Sequence, residues 1–68
     1  MLNKEHTGKV IRKNMIRLGM TYEELASLVE LTTSRVIYDW VDGIKLPSIK
    51  RLIMLSNVFN ISIDDMLK

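Results

Sequence analysis

The sequence contains no cysteine, a single histidine, a single proline and three glycines. Its aromatic residues are one tryptophan, one phenylalanine and two tyrosines. Without cysteine, disulfide staples and cysteine-based zinc sites are excluded. His6 alone cannot build a metal site, and a solvated place in an N-terminal fringe, residues 1–6, is the plainer reading of it. No glycine-rich phosphate loop is present. Glu23–Glu24 and Asp64–Asp65 are paired carboxylates, but neighbours one apart do not share a helix face. These absences speak against an enzyme, and no cofactor, metal or small-molecule ligand is indicated. No apolar run approaches the ~18–20 residues of a membrane span, and the charged start lacks the apolar stretch of a signal peptide. A cytoplasmic protein without a membrane partner is therefore expected. A chain that ends at Lys68 is also expected to carry no linked sensor domain.

Charge of one sign is scarce as well. Ten Lys and Arg against eight Asp and Glu leave a net charge of +2, although the sequence pI is about 9.2. So small an imbalance fits a solvated surface as readily as a nucleic-acid footprint. Distribution says more. Lys9, Arg12, Lys13 and Arg17 crowd the first segment, and Lys45, Lys50 and Arg51 flank the only proline, Pro47. The first cluster reads as a solvated face in preference to a nucleic-acid surface.

What is present is enough apolar residue for a core, 47% of a 68-residue single domain. Ile11, Met15 and Leu18 recur at helical spacing from Thr7 to Leu18, and Gly19 supplies a left-handed stop onto which Met20 folds back. Thr21-Tyr22-Glu23-Glu24 has the form of a capping box ahead of Leu25, Ala26, Leu28 and Val29, which places helix 2 at about 22–29. After Glu30-Leu31, Thr32 or Thr33 can cap a third helix of about 33–42 whose inward positions are Ile37, Trp40 and Val41. Gly43 ends it, and Pro47 separates it from a fourth helix capped by Ser48, with Ile49, Leu52, Ile53, Leu55, Val58 and Phe59 as a broad apolar stripe. Asn60 closes that helix, and Ser62 with Asp65 reads as a second capping box before Ile63, Met66 and Leu67. Val36-Ile37-Tyr38 has strand propensity, but a lone strand would have no partner. The expected fold is all-α, five short helices in one domain over residues 7–67.

Two short helices about a tight turn, the second followed by Trp-x-x-Gly, are the feature with functional content. Small Ala26 lets helix 2 approach helix 3, while Leu31, Ile37 and Trp40 fix the crossing and leave the opposite face free for a major groove. In order and spacing, Met20 to Ala26, Ile37 to Gly43, Leu46-Pro47-Ser48 and the tail from Leu52 to Leu67 resemble the Cro/repressor-type (XRE) helix-turn-helix family, over about residues 7–67. The resemblance implies a lambda-repressor-like five-helix domain that binds double-stranded DNA, as a homodimer on a palindromic operator and in a repressor role. It also implies the site. Thr21 and Tyr22 fall where the family touches phosphate, with Tyr22 in place of the usual glutamine. Thr33, Ser34, Arg35 and Val36 open the recognition helix, and Asp39 follows one turn later.

Arg35 is the favoured base reader, because a guanidinium pairs bidentately with guanine O6 and N7. Val36 or a threonine methyl suits a thymine methyl, and Lys45 suits a phosphate. Tyr22 and Tyr38 each stand between DNA contact and ordinary surface residue, while Trp40 reads as core. Asp39 and Asp42 on the DNA side disfavour binding, unless Asp39 accepts from a cytosine amine or holds Arg35 in place.

Three further departures from the family pattern bear on the structure. Glu30 stands where the family's turn carries glycine, and the segment from Ala26 to Ile37 is one residue longer, which is expected to remove the need for a left-handed glycine. Met15 and Val41 occupy the positions of an Arg–Glu pair, so an apolar contact is expected there. Met54 and Val58 can form part of a dimer patch or fill the core. The rival to DNA binding is a protein-interaction module of the same fold, of antitoxin or anti-repressor type, with weak or no DNA binding. Low net charge and the two aspartates favour it.

Overall fold

Asn3 opens the first helix. Its extended backbone (φ −125°, ψ 103°) and its side-chain oxygen, which accepts from the His6 amide, make it an N-cap. The computed structural model describes residues 3–68, and α1 runs Lys4–Leu18. The helix therefore begins before Thr7, and the expected fringe is shorter: Lys4, Glu5 and His6 are helical, while Met1 and Leu2 lie outside the described residues. His6 is not simply solvated either. Its ring Nε2 lies 3.1 Å from the Asp65 carbonyl oxygen at the far end of the chain. Beside it, the buried Thr7 hydroxyl donates to the Met66 carbonyl at 2.7 Å, so the first turns of α1 hold the last helix.

The remaining helices are α2 (Tyr22–Leu28), α3 (Arg35–Val41), α4 (Ile49–Phe59) and α5 (Ile63–Leu67). Among the described residues there is no strand, and Val36-Ile37-Tyr38 is helical. One core joins all five helices: Ile11 and Met15 from α1, Leu25, Ala26 and Val29 from α2 and its end, Ile37 and Trp40 from α3, Leu52, Leu55 and Phe59 from α4, and Met66 from α5. Burial of these side chains is what keeps the helices formed, since α2, α3 and α5 are far shorter than the ~12–15 residues a helix needs alone. Met15 is buried and Val41 is half-buried against the core, so both face inward where the family has its ion pair. Arg17 has a different task, donating to the Phe59 carbonyl at 2.8 Å and to Asn14 Oδ1 at 3.0 Å.

The apolar stripes are wider than the core can cover. Leu18 and Leu28, each in the last turn of its helix, are exposed. On α4, Ile49 and Ile53 are 76% and 49% exposed, whereas Met54 and Val58 are half-buried and packed on the core. Met54 and Val58 thus pack on the core, and the more exposed apolar pair of α4 is Ile49 and Ile53.

Helix ends follow one plan. Gly19, Glu30, Gly43 and Asn60 all have left-handed backbone, with φ of 63°, 61°, 74° and 56°. After α1, α2 and α3 the same two bonds close the end: Met20→Met15 and Gly19→Ile16, Leu31→Ala26 and Glu30→Ser27, Ile44→Asp39 and Gly43→Trp40. This is the Schellman arrangement, which returns the chain and satisfies orphan carbonyls. The turn between α2 and α3 therefore keeps the left-handed conformation despite its extra length, and what it dispenses with is the glycine. A glutamate occupies the place, anchored from α4: Arg51 donates to the Glu30 carbonyl at 3.1 Å, and Lys50 Nζ lies 3.9 Å from its carboxylate. At the helix starts, Thr21 and Glu24 form a complete capping box. Ser62 accepts from the Asp65 amide, one half of the box expected there.

Gly8 is required for a different reason. It lies mid-helix in α1, and a Cβ there would fall on the carbonyl oxygen of Trp40 and within 2.7 Å of that of Val41. The backbone of α1 thus rests directly on the last turn of α3.

Three predictions follow from these contacts. Gly8→Ala loses about 1–3 kcal/mol in urea unfolding, because backbone cannot yield to the added methyl; a gain of about 1 kcal/mol, as in an unhindered helix, would show the approach to be looser. Glu30→Gly gains about 0.5–1 kcal/mol, left-handed strain relieved being set against a more flexible unfolded chain, and an unchanged or lower unfolding midpoint counts against strain at Glu30. The third concerns acid. Glu24 accepts from the Thr21 amide at 2.8 Å, and this bond, with the Thr21 side-chain bond, holds its pKa below the ordinary 4.5. Its contribution is present above the unfolded-state value and is lost as pH falls through the lowered folded value. The melting-temperature difference between wild type and Glu24→Gln should accordingly stay constant down to about pH 5 and shrink below it.

Candidate nucleic-acid interface

The turn from Val29 to Ser34 delivers α3 with Ile37 and Trp40 inward, so Arg35, Tyr38, Asp39 and Asp42 share the outward side at helical spacing. Arg35 is exposed at the start of the helix, and no hydrogen bond or ion pair among the described residues engages its guanidinium. Thr33 accepts from the Arg35 amide at 3.2 Å, a capping role one residue ahead of the helix boundary. Ser34 is the N-cap by position but makes no capping bond. Its hydroxyl donates instead to Glu23 Oε2 at 3.2 Å, tying the start of α3 to α2. Val36 is half-buried against the core, which leaves the exposed Thr33 as the freer methyl.

At the start of α2, Thr21 accepts from the Glu24 amide at 3.1 Å. Its hydroxyl also serves the Glu24 carboxylate, so the Thr21 side chain is engaged inside the capping box and is not a free donor for phosphate. Tyr22 and Tyr38 are not independent surface residues. Their rings stack with centroids 4.1 Å apart and planes inclined by 18°, bridging the two helices of the motif on the solvent side. Tyr22 is half-buried and Tyr38 exposed, so Tyr22 braces Tyr38. Sixteen positions separate the two rings in sequence, and only the crossing of α2 and α3 brings them together.

Asp39 and Lys45 form the other unexpected pair. Lys45 Nζ lies 3.6 Å from Asp39 Oδ2, with the lysine side chain 65% and the aspartate side chain 26% exposed. The Asp39 backbone carbonyl also accepts from Ile44 at 2.9 Å and Lys45 at 3.3 Å, so backbone and side chain close the loop after Gly43 together. The alternative in which Asp39 holds Arg35 is not realised; its cation comes from the loop, and Lys45 has an intramolecular partner where a phosphate is expected. Asp42 remains exposed at the end of the helix. Glu23, Lys50 and Arg51, which brace the motif, carry no local signature, because each acts on an element distant in sequence.

A helix-turn-helix family model matches residues 11–66. No curated protein matches the sequence. Among solved structures, the chain is similar to the restriction-modification controller protein C.AhdI from Aeromonas hydrophila, with a TM-score of 0.81 at 19% identity, over 94% of this chain and 96% of that one. It is also similar to hydroxypropylphosphonic acid epoxidase from S. wedmorenis, with a TM-score of 0.83 at 19% identity. That likeness takes in 98% of this chain but only 35% of the epoxidase, so the chain spans about a third of that protein. At such identities both likenesses concern the fold. The family match is of another kind, since it runs through the core of α1, both helices of the motif and their closing pair. The chain belongs to the XRE-type helix-turn-helix family of DNA-binding regulators.

Proposed function

We propose that the protein is a sequence-specific regulator of transcription that acts as a repressor, binding a palindromic operator as a symmetric dimer in the cytoplasm. It is a binding protein and not a catalyst in this reading. The observation that carries it is Arg35: an exposed, unpaired guanidinium at the head of a helix whose other face is locked by Ile37 and Trp40. Such a group is placed for guanine O6 and N7 in a major groove. Around it, the braced phenol of Tyr38 offers a donor for a phosphate oxygen.

The size of the domain supports the dimer. Its extents are 29 × 23 × 21 Å, shorter than the ~34–36 Å between half-sites one helical turn apart. One copy therefore covers one half-site, and two copies related by a two-fold axis read both. The repressor role rests on the resemblance to the Cro/repressor type, and similarity to a controller protein accords with regulation. The pairing of Asp39 with Lys45 weakens the case for a pure protein-interaction module, since one of its two aspartates does not meet phosphate as a bare charge.

Arg35→Ala is expected to lose ~1–3 kcal/mol of discrimination between a selected operator and a scrambled duplex, read by fluorescence anisotropy. A variant that binds both duplexes as wild type does would remove Arg35 from base reading. Affinity for the operator should also fall with salt, with a log–log slope of roughly −0.9 for each phosphate neutralised. A flat salt profile would favour the protein-interaction reading.

A further inference from the structure

We infer that Asp39 reads a cytosine, with Lys45 as the residue that positions and neutralises it, so that each half-site contains a guanine and a nearby cytosine on the strand face read by α3. The inference rests on the DNA-reading role proposed for α3 and adds the base that its second outward side chain selects.

Three observations lead to it. Arg35 and Asp39 stand four residues apart in α3, hence on one side of the helix. Four residues of helix rise about 6 Å, against ~3.4 Å per base step along one strand, so Asp39 falls one or two steps from the guanine of Arg35. Second, the carboxylate is partly sheltered beside a cation. Lys45 Nζ lies 3.6 Å from Oδ2, the loop that carries Lys45 is closed onto the Asp39 backbone carbonyl by two amides, and the aspartate side chain is only 26% exposed. Oδ1 takes no hydrogen bond from the described residues and is open as an acceptor.

Third, the charge that would oppose an acid between two phosphate backbones is cancelled within the protein. The ammonium of Lys45 has three protons and gives one direction to Asp39, with the others left for solvent or phosphate. In the major groove cytosine presents an amine donor at N4, whereas thymine presents the O4 acceptor and adenine both a donor and an acceptor. An ionised carboxylate, which only accepts, fits cytosine and is repelled by thymine O4.

The test is selection of bound duplexes from a random pool with wild type and with Asp39→Asn, a substitution of equal size. Affinities for the enriched operator and its single-base variants are then measured by anisotropy. Wild type is expected to prefer cytosine over thymine by ~10-fold or more at one position within two steps of the guanine. Because that comparison uses the wild-type chain, it stands even if the variant folds poorly. In Asp39→Asn the same position, and no other, changes to adenine, whose N6 and N7 suit an amide. Lys45→Ala relaxes the preference at that position and Lys45→Arg restores it, whereas a lysine serving only as a phosphate contact would weaken all sequences alike. Equal wild-type affinity for the cytosine and thymine operators, or identical enriched sequences for wild type and Asp39→Asn, overturns the inference and leaves DNA reading intact. If wild type enriches no sequence, the proposed function falls and this inference falls with it.

Discussion

The contact on which the arrangement depends is the seat of α1 on the last turn of α3 at Gly8. Trp40 and Val41 present carbonyl oxygens there, and no side chain intervenes. A helix of seven residues has almost no stability of its own, so α3 takes its position from what it rests against. It is anchored at its C-terminal end by α1 and along its inner face by Ile37 and Trp40. The Ser34 hydroxyl on Glu23 adds a tie to α2 at its first turn. The neighbouring turn of α1 holds α5 through Thr7 and Met66, so the two ends of the chain and the reading helix share one support.

The turn between α2 and α3 shows how the fold tolerates a residue that local preference disfavours. Left-handed backbone costs an ordinary residue roughly 1–2 kcal/mol, and glutamate is not one of the residues, such as asparagine, that visit it routinely. The Glu30 carbonyl is held by Arg51, a bond that any residue could make through its backbone. The Lys50 contact is the part specific to glutamate, and both partners are about two-thirds exposed, so solvent screens it. The turn is thus kept by hydrogen bonds around it, with strain left in the residue itself.

Much of the fold was legible because its signals are local. The Thr21–Glu24 box, Gly19, Gly43, Ser48 and Asn60 each act within one helical turn, and each is where sequence logic puts it. The start of α1 was missed because Asn3 caps without an apolar residue in the first turn to announce a helix. Ile49 and Ile53 belong to the apolar stripe of α4 yet are exposed, because periodicity reports which residues share a face, and not how much of that face the neighbours cover. The site was half legible. Arg35 and the outward face of α3 follow from the positions of Ile37 and Trp40. The pairs Tyr22–Tyr38 and Asp39–Lys45 do not, since one needs the helix crossing and the other needs the loop that Gly43 reverses.

Charge placement bears on the kind of binder this face can be. Asp39 and Lys45 cancel, Arg35 and Asp42 oppose one another, and the unpaired cations Lys9, Arg12 and Lys13 lie on the outer side of α1, which is not the reading face. Attraction to phosphate regardless of sequence scales with the cations brought near the backbone. A reading face of near-zero net charge gains less from it on any duplex than a basic face does. What remains is hydrogen bonding to base edges, which is favourable only where donors and acceptors match and costly where they do not. Such a face trades affinity for discrimination: it weakens binding to the operator, but it weakens binding to the competing sites at least as much. Doubling the face through a two-fold axis recovers affinity by making the second contact intramolecular, without adding the cations that would erase the discrimination.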